Sequence, residues 1–320
     1  MSDSKLPYTP YSTADKSGVR RYNFIQSANW QHDEKGRVHT AKGLIYGSWW
    51  NDDPLMYMQG QGSDFGMGAY YLRKIKGDSQ SYRGGVRKCD VPARQSLFWN
   101  THKGTLQHLH FMTVMPRKTP PTEALSDTTG RALEWIEFAY SVASMKRDPD
   151  SQFPPDEQAR LWIPPLKENY CLRDPYNAKV KTLFTRAGSD HRNELTPDMA
   201  LGSILHIIQD SFSPSHTCRV AQLVDGKKMA LLNNVYNYKN QLVDDGGSTQ
   251  HEEKDEYPVW LFAYYFSGNN TYANDPIIEG KWIIDAADHG TDWSIVKQHL
   301  KDKVFKTVDH PSEDANVKCI

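Results

Sequence analysis

The sequence predicts a helical fold, and two segments whose apolar residues recur at helical spacing indicate it. The first segment runs from Thr122 to Met145, where Leu133, Ile136 and Tyr140 share one face of a helix. The second segment lies near the middle of the chain, and its apolar stripe consists of Leu201, Ile204, Leu205, Ile208 and Phe212. A chain of 320 residues can bury a substantial core, and we expect one domain over residues 1–320.

The second of these helices carries signals for both of its ends. Thr196 is a suitable N-cap, Pro197 suits the first helical position, and Asp198 complements the positive end of the helix dipole. Pro214 cannot continue a helix, so we expect the helix to end shortly before it. His216 then lies just beyond the break, where the chain can bend back towards the helix.

Side chains that can bind a metal are concentrated around the end of this helix. His206 and Asp210 are four residues apart and therefore lie on the same helical face. His251 and Asp255 repeat the four-residue step further along the chain. One such pair is often only a structural hydrogen bond, but two pairs together with His216 indicate a polynuclear metal site, with zinc as the expected metal.

The run of residues 201–216 resembles the signature of the zinc-dependent phospholipase C and single-strand nuclease superfamily. It contains Leu-Gly, then His, Asp, Pro and His, with the spacing of the family between the three metal-binding side chains. The resemblance implies an all-α, multi-helix phospholipase C-like fold that holds two to three Zn²⁺ ions in one cleft. It also implies ligand roles for His206, Asp210, His216, His251 and Asp255.

Two upstream segments resemble the WNDDP and SHxG stretches of a bacterial phospholipase C branch of the superfamily. They are residues 49–54, WWNDDP, and residues 101–104, THKG. The resemblance makes Asp53 and His102 the expected partners of the helical His and Asp on one zinc. Asp53 is also the catalytic candidate, because a carboxylate at this position would orient the attacking water or accept its proton. Asp52 is the alternative, since spacing alone cannot separate neighbouring carboxylates.

Further histidines are candidates for completing the site. Members of the superfamily commonly bind another zinc through a processed N-terminal residue and a nearby His, and this chain departs from that pattern. His39 is the candidate ligand here, and His32 is the alternative. His108 and His110 are two residues apart, which on a helix places them on different faces, so at most one of them could join the site of His102. We expect these two to be core residues or to orient a ligand.

The rest of the chain gives weaker signals about domain organisation, disulfides and location. Residues 146–195 are rich in proline and charge, and we interpret them as an insertion that decorates the domain before the central helix. The four cysteines include no Cys-x-x-Cys pair, and their number leaves open whether they form disulfides. No apolar run approaches the roughly 20 residues of a membrane span, and the hydrophilic start lacks the apolar stretch of a secretory signal. A cytoplasmic protein, export by a specialised machinery and a mature secreted form all remain open.

These observations together predict a zinc-dependent phosphodiesterase of the phospholipase C type. The expected reaction is attack by a metal-activated water on a glycerophospholipid, which yields diacylglycerol and a phosphorylated headgroup. The 38 Lys and Arg residues nearly balance 39 Asp and Glu, so no nucleic acid partner is favoured. The expected partner is a phospholipid at a membrane surface, contacted peripherally by a monomer. A single-strand nuclease and a catalytically inactive, zinc-stabilised binding module are the alternatives.

Overall fold

The computed structural model describes residues 29–32, 38–52, 97–116, 118–169, 172–185, 192–238, 258, 260–261, 272–314 and 316–320. These residues form a mostly helical protein with two small antiparallel hairpins. The helical class predicted from the sequence is therefore confirmed. The all-α expectation needs one correction, because the hairpins add β-structure that the helical spacing did not indicate.

The helices and strands are named here in chain order. The strands form two pairs, β1 (Asn29–His32) with β2 (Val38–Thr40), and β3 (Thr217–Val224) with β4 (Lys227–Val235). The α-helices of the described residues are α1 (Ala41–Trp50), α2 (Leu97–Lys103), α3 (Pro121–Ala143), α4 (Pro155–Arg160), α5 (Leu166–Asn169), α6 (Val180–Phe184), α7 (Arg192–Asp210), α8 (Pro276–Asp288) and α9 (Trp293–His299). Shorter helical turns are the 3₁₀ turns Gln107–His110 and Pro175–Asn177 and the π-helical turn Leu300–Val304. No helix among the described residues is both long and apolar enough to cross a bilayer.

The chain divides into two compact units. Unit 1 comprises Met1–Leu106, Phe138–Ile204 and Ala287–Gly290, and unit 2 comprises Gln107–Glu137, Leu205–Ala286 and Thr291–Ile320. The prediction of one domain over residues 1–320 stays a prediction.

Helix α3 confirms the first predicted helix to within two residues at each end.

In unit 1, helix α1 crosses the first half of α7 at very short range. A Cβ atom on Gly202 would lie 2.3 Å from the carbonyl oxygen of Leu44, and one on Gly47 would lie 2.3 Å from that of Met199. The side chains of Asn51 and Ser203 then join the two helices, with the Ser203 hydroxyl donating to Asn51 Oδ1 at 2.6 Å. This crossing fixes the end of α1, and with it the position of Asp52 in the WNDDP segment.

Helix α7 begins earlier than the sequence signals indicate. It starts at Arg192, so Thr196 is not its N-cap, and Pro197 lies inside the helix. The Arg192 side chain donates to the hydroxyl and the carbonyl of Thr185, each at 2.9 Å, while the Thr196 hydroxyl donates to the Arg192 carbonyl at 2.6 Å. These contacts hold an extra helical turn before Pro197. The start of α7 is therefore decided by contacts with Thr185 and not by the local capping preference of Thr196.

The segment interpreted as a decorating insertion is part of the core of unit 1. Its short helices and turns bury apolar side chains completely, and these are Phe153, Leu161, Leu166, Val180, Leu183 and Phe184. Phe153 stacks on Phe138 of α3 with ring centroids 5.1 Å apart. The proline-rich sequence therefore breaks the segment into short elements without excluding it from the core.

In unit 2, β3 and β4 form a hairpin around the turn residues Asp225 and Gly226. Both have positive φ angles, 50° and 73°, as a type I′ hairpin turn requires. Asp-Gly between two β-forming runs is a strong local signal for a hairpin turn, and the all-α expectation did not include it. The hairpin matters for function because β3 begins at Thr217, immediately after His216.

Arg219 of β3 ties the hairpin to the rest of unit 2. Its guanidinium is buried and donates to the carbonyls of Ser211, Ala230 and Val304 at 2.6 to 2.7 Å, and it lies over the ring of Phe212. Burial lowers the pKa of Arg219 to about 9, and the negative charge of Glu279 opposes that shift. The group thus stays charged at neutral pH and its donors are satisfied by main-chain oxygens.

Candidate metal centre

The centre is built on the last two turns of α7. His206 and Asp210 lie one turn apart, and His206 Nε2 is 2.8 Å from Asp210 Oδ2. The prediction that the four-residue spacing places both side chains on one face is confirmed. The helix ends at Asp210, and a turn through Pro214 follows, as expected from the proline.

His110 brings a third ligand atom to this pair. It lies in the 3₁₀ turn Gln107–His110, and its Nδ1 atom is 3.1 Å from Asp210 Oδ2 and 2.9 Å from His206 Nε2. The three side chains are buried, with His110 at 4 %, His206 at 9 % and Asp210 at 8 % exposure. His110, His206 and Asp210 thus form a group that could hold a metal ion.

The spacing of these three atoms suits a small divalent cation. Ligand atoms at 2.0–2.1 Å from a zinc ion are about 2.9 Å apart when the bond angle is near 90° and about 3.4 Å apart at the tetrahedral angle. The observed separations of 2.8, 2.9 and 3.1 Å lie close to the lower of these values.

His216 supports His110 from the other side of the proline turn. Its Nδ1 atom is 2.6 Å from the carbonyl oxygen of His110, and a carbonyl can only accept, so Nδ1 carries the proton. In the neutral ring this leaves the lone pair on Nε2, the tautomer expected of a metal-binding histidine whose other nitrogen holds a backbone carbonyl. The ligand role of His216 stays a prediction, because neither group of potential ligands among the described residues includes it. His216 Nδ1 also lies 3.4 Å from Asp210 Oδ2.

Electrostatics keep the central carboxylate ionised. Burial alone would raise the pKa of Asp210, but the charges of His206 and His216 and hydrogen bonds from His110 and His206 outweigh it and hold that pKa well below its usual range. An ionised Asp210 has only acceptor atoms, and its negative charge favours a cation at this position.

Unit 1 holds two of the upstream candidates. Asp52 follows the end of α1, and His102 lies in α2 with its Nδ1 atom 2.9 Å from the hydroxyl of Thr101. A carboxylate oxygen of Asp52 and a ring nitrogen of His102 lie within 4.8 Å of each other, so this pair is also spaced for one ion. Asp53 lies outside the described residues, and the choice between Asp52 and Asp53 stays open.

The remaining candidates are only partly covered by the structure. His251 and Asp255 lie outside the described residues. The backbones of His32 and His39 belong to β1 and β2, where His32 pairs with Val38, but their side chains are outside the description. Their roles as ligands stay predictions that rest on the family resemblance.

His110 is predicted to be a core residue or to orient a ligand, and the structure places it beside the α7 pair. It is buried, and its ring nitrogen contacts both His206 and Asp210. His108, two residues earlier, is fully buried in the same turn and belongs to neither group of potential ligands. The His-x-His spacing after His102 is the signal that could have identified the turn, although it does not tell which of the two histidines faces the site.

No known protein family, curated protein or solved structure matches this chain.

Proposed function

We propose that this chain is a zinc-dependent phosphodiesterase of the phospholipase C type. The observation that carries the proposal is the convergence of His110 Nδ1, His206 Nε2 and Asp210 Oδ2 within 3.1 Å of one another. Two imidazole nitrogens and a carboxylate oxygen are a donor set that zinc commonly occupies in catalytic sites. The resemblance of residues 201–216 to the zinc-dependent phospholipase C signature supplies the reaction class.

Each residue of the centre has a separate task in this proposal. His110, His206 and Asp210 would hold the ion, and the ionised carboxylate of Asp210 would offset part of its charge. When bound, zinc supplies a Lewis acid for phosphoryl oxygens and lowers the pKa of water towards about 7. The His216 imidazole holds the main chain of His110 through its Nδ1–H, so that the ring of His110 keeps its orientation.

The substrate in this proposal is a glycerophospholipid, reached by a peripheral contact with a membrane surface. The net charge of −1 gives no reason to expect attraction to a long polyanion, which argues against the nuclease members of the superfamily. A carboxylate of the WNDDP segment, Asp52 or Asp53, is the candidate for orienting the attacking water.

The proposal is tested by measuring metal content and hydrolysis together. We expect the purified protein to contain zinc by mass spectrometry and to release phosphorylated headgroups from phospholipid vesicles. His206→Ala and Asp210→Asn remove one ligand atom each, so both should lose zinc and turnover. His310→Ala changes an exposed histidine and serves as the matched control, which should keep both.

Other outcomes are informative in different ways. Full activity in both ligand variants would exclude this mechanism. Digestion of single-stranded DNA without headgroup release would identify the nuclease alternative. Zinc that stabilises the fold without hydrolysis of either substrate would indicate the binding module.

A further inference from the structure

The C-terminal strap, residues 305–314 and 316–320, runs along β4 of the hairpin. The amide of Leu232 donates to the carbonyl of Lys306, and the amide of Val308 donates to the carbonyl of Leu232, each at 2.9 Å. Asn233 then exchanges hydrogen bonds with the main chain of Ser312. Val308 packs with Met229 and Leu231 in a buried cluster. The first half of the strap is thus held by ladder bonds and apolar contacts.

The second half of the strap is held mainly by a disulfide. Cys319 is bonded to Cys218 of β3, with Cα atoms 5.1 Å apart and a sequence separation of 101 positions. The only main-chain bond that links this half to the hairpin, among the described residues, runs from the amide of Ile320 to the carbonyl of Arg219. Cys218 is buried, whereas Cys319 is exposed and open to a reductant.

A short series of contacts joins the disulfide to the metal centre within unit 2. The Tyr236 hydroxyl lies 3.9 Å from Cys319 Sγ, and the Tyr236 amide donates to the carbonyl of His216 at 2.9 Å. The Tyr236 carbonyl in turn accepts from the amide of Thr113, three residues after His110. His216 holds the His110 carbonyl directly. The main chain of both histidines is therefore held by the end of the hairpin that carries the disulfide.

We infer that the Cys218–Cys319 disulfide is a positioning element of the metal centre, so that its reduction weakens metal binding by His110, His206 and Asp210. The inference rests on the metal centre of the proposed function. Reduction by a dithiol transfers two electrons and two protons to the cystine sulfurs, giving two thiols while the dithiol closes to its own disulfide. Loss of the bond frees the last residues of the strap and loosens the strand that follows His216. Because cytosolic thiols are kept reduced, an intact bond also favours the exported alternatives for this chain.

The test compares zinc affinity in full-length proteins by competition with a fluorescent chelator. Cys218→Ala with Cys319→Ala removes the bond and leaves no thiol that could itself bind zinc near His216. We expect its dissociation constant for zinc to rise about 10-fold, as is typical when groups that orient a ligand are lost. Val296→Ala, a core truncation in α9, is the matched control and should change the constant less than twofold.

The unmodified protein gives a second, reciprocal measurement that does not depend on the variant folding. If the disulfide strengthens zinc binding by a given factor, zinc must shift the reduction equilibrium of the disulfide by the same factor. In a glutathione redox buffer we expect zinc to make the bond about 10-fold harder to reduce.

Each contrary outcome points to a different error. Unchanged affinity in the double alanine variant and an unchanged reduction equilibrium overturn the inference and leave the proposed function standing. Equal weakening in Val296→Ala overturns it too, because the loss is then one of general stability. If the unmodified protein binds no zinc, or binds it no more tightly than His206→Ala does, the metal centre itself is overturned, and this inference with it.

Discussion

His110 contributes two different atoms to the region around Asp210. Its ring nitrogen Nδ1 contacts the carboxylate, and its carbonyl oxygen accepts from His216. The side chain and the main chain of one residue are therefore fixed by two neighbours that the sequence places about 100 residues away. Orientation of this kind is what a metal site needs, because a ligand that must reorganise on binding loses affinity.

Asp150 is a partly exposed carboxylate that forms ion pairs with two lysines. Its Oδ1 atom lies 2.7 Å from both Lys179 Nζ and Lys181 Nζ, and its Oδ2 accepts from Asn193 Nδ2 at 2.7 Å. Hydrogen bonds from Lys179, Lys181 and Asn193 lower the pKa of Asp150 well below its usual range. The group therefore contributes stability above its unfolded pKa of about 4, and that contribution is lost as the pH falls towards the folded value.

We predict that Asp150→Asn lowers the free energy of unfolding at pH 7 and that its difference from the unmodified protein shrinks at pH 3 and below. The amide cannot pair with the two lysines, and protonation of the carboxyl removes the same pairing at low pH. Denaturant unfolding at several pH values measures the effect. Asp309→Asn, at an exposed position, is the control and should show no such convergence. A difference that is independent of pH would contradict the assignment.

At the scale of single elements, the crossing of α1 and α7 depends on two glycines. In α7 the backbone of Gly202 approaches α1 so closely that a Cβ would lie 2.5 Å from the amide nitrogen of Ser48. Gly130 of α3 differs, because a Cβ there meets no atom within 4 Å. Gly202 and Gly130 both lie inside helices, where glycine is about 1 kcal/mol less favourable than alanine.

We predict opposite effects of the same substitution at these two glycines. Gly202→Ala should destabilise the fold by about 1–3 kcal/mol, because overpacking at the crossing outweighs the gain in helix propensity. Gly130→Ala should stabilise it by up to about 1 kcal/mol, since only the propensity changes. Chemical denaturation of both variants measures the two values. A stabilising Gly202→Ala would mean that the two helices have room to separate.

At the scale of the whole molecule, the side chains of the candidate metal centre come together only in the folded chain. Its side chains come from the 3₁₀ turn before α3 and from the end of α7, and the hairpin β3–β4 holds the support residue His216. An ion that binds these residues together binds the folded state and not the unfolded one. Metal binding must therefore appear as folding stability.

We predict that chelation of the metal lowers the unfolding temperature of the unmodified protein by several degrees. Zinc at about 100 times its dissociation constant contributes about 2.7 kcal/mol through mass action. Thermal unfolding with and without a chelator measures the shift, and restored zinc should reverse it. His206→Ala lacks a ligand and should unfold at the same temperature under both conditions. A shift of equal size in that variant would place the stabilising ion elsewhere.

The sequence determined those features that depend on neighbouring positions. The period of apolar residues located α3, the four-residue step put His206 and Asp210 on one face, and Pro214 ended their helix. The Asp-Gly turn of the hairpin was available from the same kind of local signal.

Only the tertiary structure decided which distant residues meet. The position of His110 beside Asp210, the start of α7 at Arg192 and the pairing of Cys218 with Cys319 all depend on contacts between segments far apart in sequence. Spacing along the chain does not reveal such contacts. They are selected by packing and hydrogen bonds between segments, which add to the local preferences of each element. Local periodicity therefore placed His206 and Asp210 on one face of α7, and folding brought His110 beside them.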